Sequence, residues 1–273
     1  KIYVISGYES TAYLQKVAAY LNEMEEKVTA MDGYRRLGSE EKQLLKNMNL
    51  ADEYFNITHP YGLWKDTGVR MEGDAVRSLT VMFLEMWNAI KKTDTDYTAY
   101  FPEITYAAKQ TGYVQPYADN PLDDEHTGEN VYMNVLNSAR EYAYFITPYL
   151  LISDEMKKAF TLAARRGVDV RIITPGIPDK KFVYQATRSY YNRLVKKGVR
   201  IFEYTPGFCH AKQCVSDDKA AVVGTINLDY RSLYHHFENA AAFYHKDAVA
   251  GVKADFDHLF EECHEVTEQY RSH

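Results

Sequence analysis

Between Phe208 and Glu238 the chain reads FCHAKQCVSDDKAAVVGTINLDYRSLYHHFE, and within it His210, Lys212 and Asp217 stand in the pattern H-x-K-x4-D. Gly224, Thr225 and Asn227 follow, and Glu238 closes the stretch. An imidazole is a nucleophile or a proton carrier, an ammonium is a fixed positive charge, and a nearby carboxylate can orient the imidazole. That combination suits attack on a phosphate ester with side chains alone. No metal or cofactor is therefore expected, and chelation should leave such an activity unchanged. A pattern this short arises by chance now and then. The glycine-Thr-x-Asn tail and the downstream acid make it more specific.

The surrounding chain alternates between strand and helix patterns. Tyr142 to Thr147 reads as a buried strand ended by Pro148, and Ser153 caps a helix through Arg166 that Gly167 stops. Val168 to Thr174 is the next strand, a basic helix runs from Lys181 to Lys197 with Gly198 after it, and Val199 to Tyr204 is a third strand. Lys212 to Ser216 and Ala220 to Val223 form a hairpin-like pair. Phe237 to Tyr244 is a last strand, followed by a closing amphipathic helix from Asp247 to about Tyr270. The chemistry thus falls at strand ends of a mixed sheet, a common place for a site.

Upstream, residues 9 to 31 and a piece from Ser39 have helical periodicity. GLWKDTGVRMEG reads as a strand around Thr67, Val69 and Met71, and Asp74 caps a helix whose stripe of Val76, Leu79, Thr80, Phe83, Leu84 and Trp87 is expected in the core. The five acids of YADNPLDDEHTGEN (Asp119, Asp123, Asp124, Glu125, Glu129) do not have EF-hand spacing. They are expected in a solvated loop leading to a helix from Asn130 to Ala139.

Composition narrows the class. A chain of 273 residues can bury a real core. Three cysteines (Cys209, Cys214, Cys263) form no disulfide framework and point to reduced thiols. Cys209, His210 and Cys214 lack the spacing and the fourth ligand of a zinc site. No apolar run is long enough to span a bilayer, and no signal peptide is visible. A net charge of −6 argues against nucleic acid as a partner. Yet from Lys157 to Arg200 twelve basic residues face only Asp169 and Asp179 within that stretch. That stretch is either a solvated helix face or a surface that meets anionic headgroups.

H-A-K-x4-D followed by G-T-I-N-L-D-Y-R-S resembles the HKD motif of the phospholipase D superfamily. The flanks VQPYADNPLDDEHTGENVY, FITPYLLIS, GVDVRIITPGIPDKK, TRSYYNRLVKKGVRIFEYTPGFCHAK and NLADEYFN…GLWKDTGVRMEG are similar to bacterial cardiolipin synthase, over roughly Asn47 to Tyr270. The resemblance implies an α/β fold, a phospholipase D-like mixed β-sheet flanked by helices. It implies two half-domains packed face to face, each giving one HKD motif to a shared site. Here it implies one complete half (113–273), a remnant of the other (47–112) and a helical segment before it (1–46).

It further implies a phosphatidyltransferase working through a phosphohistidine, joining two phosphatidylglycerol molecules into cardiolipin and releasing glycerol. His210 would be the nucleophile or the acid/base. Lys212 and Asn227 would hold non-bridging oxygens, and Thr225 would supply the hydroxyl of the family's serine. Glu238 would bond the other imidazole nitrogen of the histidine and set its tautomer. Asp217 would support its loop. Ser232 and Arg231 either shape the pocket or make ordinary turn bonds. Asn49 matches the asparagine of the first motif, and Asp66 stands where Glu238 stands in the second half. The first H-x-K-x4-D itself is absent. The implied completion is a homodimer or a partner half-domain, with the protein on a membrane surface at the cytoplasmic face of the bacterial cell membrane. The alternatives are a phospholipase D-type phosphodiesterase with water as acceptor, or an incompetent fragment that binds a lipid surface or a partner chain.

Overall fold

The computed structural model describes residues 2–6 (backbone only), 53, 56, 58–91, 96–101, 103 and 112–271. The helical patterns expected at 9–31 and after Ser39, and Asn49, lie outside the described residues.

The strands are β1 Ile2–Ser6, β2 Leu63–Lys65, β3 Thr67–Met71, β4 Gly112–Asp119, β5 Tyr142–Ile146, β6 Leu150–Leu151, β7 Asp169–Pro175, β8 Arg200–Tyr204, β9 Gly207–Cys209, β10 Gln213–Ser216, β11 Ala220–Gly224, β12 Leu228–Asp229, β13 Glu238–His245 and β14 Cys263–Glu265. The helices are α1 Ala75–Lys91, α2 Thr127–Ser138, α3 Asp154–Arg165, α4 Lys181–Val195, α5 Tyr230–His235, α6 Lys246–Glu262 and α7 Thr267–Arg271. Eight strands make one mixed sheet in the order β14-β8-β7-β5-β10-β11-β13-β4. β5, β7 and β8 run parallel, joined by α3 and α4, and the other ladders are antiparallel.

The period of two along each strand sorts the core into two layers. Ala143 and Phe145 of β5 face one layer with Leu136, Met156, Phe160, Tyr191 and Leu194 from the helices. Tyr142, Tyr144 and Ile146 face the other with Val249, Val252, Phe256 and Leu259 of α6. Helix ends follow the sequence. Ser153 Oγ accepts from Met156 N at 3.0 Å, and Gly167 takes the left-handed φ of +92° that ends α3.

Three expectations are corrected. Of the apolar stripe on α1, Leu84 is buried, but Val76, Phe83 and Trp87 are exposed, and so are Met86 and Ile90. Helical periodicity marks a face, and among the described residues nothing covers most of this one. Second, the acidic stretch is not all loop. Asp119 ends β4 and is buried, where its Oδ2 accepts from Gly128 N at 3.0 Å at the start of α2. Glu129 is buried and accepts bonds from Ser153 Oγ and, at 2.7 Å, from Tyr234 Oη. Third, the last helix stops at Glu262. β14 then pairs antiparallel with β8, and Thr267 starts a separate short helix.

Candidate active site

β9 and β10 are joined through His210, Ala211 and Lys212, at the same edge of the sheet as the C-terminal ends of β5 and β7. β2, far upstream in sequence, lies parallel to β9, with Trp64 beside Phe208 and Lys65 beside Cys209. A β-carbon at Gly207 would strike the Leu63 backbone, so a glycine is what allows the two strands to meet. Lys65 O accepts from His210 N at 2.7 Å and from Ala211 N at 3.1 Å.

β2 is pinned from inside. Lys65, 2% exposed, donates to Asp255 Oδ2 of α6 at 2.9 Å, to Asp66 O at 3.1 Å and to Thr67 Oγ1 at 3.0 Å. Gln213 Nε2 donates to the same Asp255 oxygen at 2.6 Å. Asn56 clasps the other side: its Nδ2 donates to Trp64 O at 2.9 Å and its Oδ1 accepts from Trp64 N at 2.7 Å.

This strand delivers Asp66 to the histidine. Asp66 Oδ2 stands 2.9 Å from His210 Nδ1. The carboxylate makes Nδ1 the protonated nitrogen of a neutral ring, so Nε2 carries the lone pair. The Trp64 ring centroid lies 5.2 Å from the imidazole, and the Phe208 ring is stacked 6.1 Å away. Burial by itself would raise the Asp66 carboxyl. The hydrogen bond with His210 and the charge of Lys212 prevail and bring it down to about 2.

Lys212 is buried, and its Nζ donates to His210 O. Burial is the stronger influence and lowers its pKa to about 8, against the opposing pull of Asp66 and Glu238. Gly224 N donates to Lys212 O at 3.1 Å, and a β-carbon at Gly224 would collide with Ala240. That packing carries the chain into Thr225 and Asn227. Asn227 N donates to Ser232 Oγ at 2.9 Å, while its buried Oδ1 meets no hydrogen-bond partner among the described residues.

The role expected for Glu238 is corrected. Its Oε2 accepts from Thr225 Oγ1 and its Oε1 from Ser232 Oγ at 2.7 Å, and His236 Nδ1 stands 3.5 Å from Oε1. The nitrogen of His210 that it was to hold is taken by Asp66. The acid close to the motif in sequence thus bonds Thr225 and Ser232, and the distant Asp66 meets the histidine. Asp217 stands apart from this cluster and supports its loop. It lies past the far end of β10 from His210, in a turn with φ of 53°. There it accepts the backbone N–H of Arg140, Glu141 and Tyr142 at 2.8, 2.9 and 2.9 Å. Burial would raise its carboxyl, but those three donors hold it below the usual range. Its contacts are those of a loop clamp. Arg231 Nε donates to His236 Nε2 at 2.9 Å at the surface, and Asp229 caps α5 through Arg231 N and Ser232 N at 3.0 and 3.2 Å.

Sequence reasoning missed Lys65, Asn56, His236 and Asp255. Lys65 carried a signal. In LWKDTGV it is a charge inside a strand pattern, and such a residue needs a buried partner. Among the described residues no group of three His, Cys, Asp or Glu side chains is placed to hold a metal ion. Cys209, Cys214 and Cys263 are unpaired thiols.

A mixed sheet with an H-x-K pair at the strand ends, its histidine held by a carboxylate, defines a phospholipase D-like protein. Comparison shows the same fold in a phosphatidylserine synthase from Haemophilus influenzae, with a TM-score of 0.62 over 80% of this chain and 59% of that one, at 12% identity. Residues 132–260 match the family model described as cardiolipin synthase, PLD-like domain, so the chain carries a domain of that kind. Cardiolipin synthase 2 of Bacillus anthracis is 34% identical over 219 residues, 80% of this chain and 43% of the relative. An uncharacterized protein of Streptococcus mutans is 51% identical over 220 residues, 81% of this chain and 48% of the relative. The chain therefore spans about half the length of these curated relatives.

Proposed function

We propose that this chain is the HKD-bearing half of a phosphatidyltransferase that makes cardiolipin from phosphatidylglycerol at the cytoplasmic face of the membrane. The observation that carries this reading is the Asp66–His210 pair at 2.9 Å, which fixes one imidazole tautomer. His210 Nε2 attacks phosphorus, an N–P bond forms, and the P–O bond to the glycerol headgroup breaks. The departing glycerol oxygen takes a proton from a second histidine. That histidine returns as base for the hydroxyl of the incoming phosphatidylglycerol, whose oxygen displaces His210 from phosphorus. Lys212 and the Asn227 amide stabilise the non-bridging oxygens.

The crossed placement of Asp66 supports a role for Glu238. By position it is the counterpart acid, held ready by Thr225 and Ser232. We assign it to the imidazole of a second HKD half, from a second copy or another part of the protein.

The test supplies phosphatidylglycerol labelled in the phosphate. Acid-labile, base-stable label on protein, lost in His210→Ala, together with release of cardiolipin and glycerol, is the expected result. Label that persists in His210→Ala overturns the assignment of the nucleophile. Phosphatidic acid as sole product makes water the acceptor and the protein a phosphodiesterase.

A further inference from the structure

The twelve basic residues between Lys157 and Arg200 do not behave alike in the fold. Arg188 forms a two-pronged pair with Glu203 at 2.9 and 2.7 Å, and Arg200 forms one with Glu265 at 3.0 and 2.7 Å. Arg171 binds Asp169, with Nε to Oδ2 at 2.8 Å. These charges are spent on pairs within the fold. Lys180 and Lys181 are different. Both are exposed, and Lys180 approaches its acidic neighbour Asp179 only at 3.9 Å. The next residue, Phe182, is 82% exposed, and Ile177 is 40% exposed. A phenylalanine left in water beside two lysines wastes apolar surface unless something apolar and anionic meets it.

The turn that carries these residues borders the site. It leaves the C-terminal end of β7, on the edge where His210 and Lys212 lie. Ile177 N donates to Gly207 O at 3.1 Å, three residues before His210. Tyr149 Oη donates to Asp179 Oδ2 at 2.6 Å, Lys180 Nζ lies 5.5 Å over the Tyr149 ring, and Tyr149 is 6.4 Å from Phe208. Phe208 in turn stacks on His210. Leu63, 37% exposed, adds apolar surface on the neighbouring strand. Helix α4 starts here without an acidic residue in its first turn. The acidic loop after Asp119 leaves the same end of the sheet, but from the edge strand β4, four strands beyond β5.

We propose that the turn from Gly176 to Phe182 is the surface that docks the protein on an anionic bilayer. Phe182 and Ile177 enter the headgroup layer, and Lys180 and Lys181 pair with lipid phosphates. Docked this way, the mouth of the His210 site opens at headgroup depth, and a phospholipid need not leave the bilayer fully to present its phosphate. The inference rests on the phospholipid reading above for its meaning, but its test reads binding and not turnover.

The test is vesicle co-sedimentation in the His210→Ala background, where no chemistry can alter the lipid. Vesicles of equal parts phosphatidylglycerol and phosphatidylcholine are compared with vesicles of phosphatidylcholine alone. The protein should sediment with the mixed vesicles and release as salt rises. Phe182→Ser should weaken the partition roughly tenfold or more, the factor expected for losing one buried phenylalanine side chain. Lys180→Gln and Lys181→Gln should each weaken it roughly fivefold. Phe182→Trp should add a component of emission that shifts to the blue with the mixed vesicles only, relative to the parent chain. Failure to bind mixed vesicles, equal binding to both vesicle types, undiminished binding of Phe182→Ser, or no shift in Phe182→Trp would each overturn the proposal. None of those outcomes bears on whether His210 forms a phosphohistidine.

Discussion

Asp66 and His210 meet at 2.9 Å although 144 positions separate them in sequence. In the proposed mechanism this carboxylate is decisive, because it sets which nitrogen of the neutral imidazole carries a proton. Asp66→Asn should therefore lower turnover on the order of a thousand- to ten-thousand-fold while leaving the fold in place, by analogy with the orienting acid of other His–Asp pairs. Nitrogen NMR of the His210 ring should show a mixture of tautomers in Asp66→Asn and one tautomer in Glu238→Gln. The reverse pattern would return Glu238 to His210.

The same pair makes stability depend on acid. The Asp66 carboxyl sits at about 2 in the fold, below its ordinary 3.8. A depressed carboxyl contributes stability above its unfolded pKa and loses it as pH falls through the folded one. Between about pH 4 and pH 2 the wild-type chain should lose on the order of 2 kcal/mol that Asp66→Asn does not lose. Denaturant titration of the two chains across that window measures the difference.

Lys212 should produce opposite trends on the alkaline side. Its pKa is about 8 in the fold against an ordinary 10.5. As pH rises through 8 the charge that the proposed mechanism assigns to the phosphate is lost, and turnover should fall. Over the window from 8 to about 10.5 the unfolded chain binds more protons than the folded one, so stability should rise. Lys212→Ala should abolish the alkaline limb of the pH–rate profile together with most of the activity.

Lys65 is expected to matter for folding before chemistry. Removing one partner of a buried ion pair leaves the other unpaired, at roughly 3–5 kcal/mol. Lys65→Ala should cost about that much in urea unfolding, and activity should fall as β2 loses its anchor. An unchanged midpoint would show that the Asp255 contact does not hold the strand.

Asp217→Asn separates a clamp from a catalyst. It should lower stability by about 1–3 kcal/mol, because its two carboxylate oxygens take three backbone donors. At a temperature where both chains are folded, its turnover should stay within a few-fold of wild type.

Much of this was legible in the residues. The strand–helix alternation from Tyr142 to Tyr204 was plain because glycines, caps and apolar runs agree there, and Ser153 and Gly167 act at the predicted ends. The motif's residues were legible as chemistry. Their partners were not. H-x-K-x4-D places a carboxylate near a histidine in sequence, but a strand turns that spacing into distance: β10 puts Asp217 at its opposite end. Local pattern also cannot tell which of two acids crosses to which histidine, since that is set by β2 lying against β9. Likewise the stripe on α1 showed a face but not what lies against it.

The Gly207–Leu63 approach has a further consequence. A piece of this chain that begins at Gly112 would keep every letter of the motif and nearly the whole sheet. It would still lack the carboxylate that orients the imidazole. The motif is a spelling, and orientation is a property of closure: the histidine gains its carboxylate partner only once an upstream strand has come home beside it. A chain that has folded its large sheet but not yet seated β2 would be native by most optical probes and silent by activity.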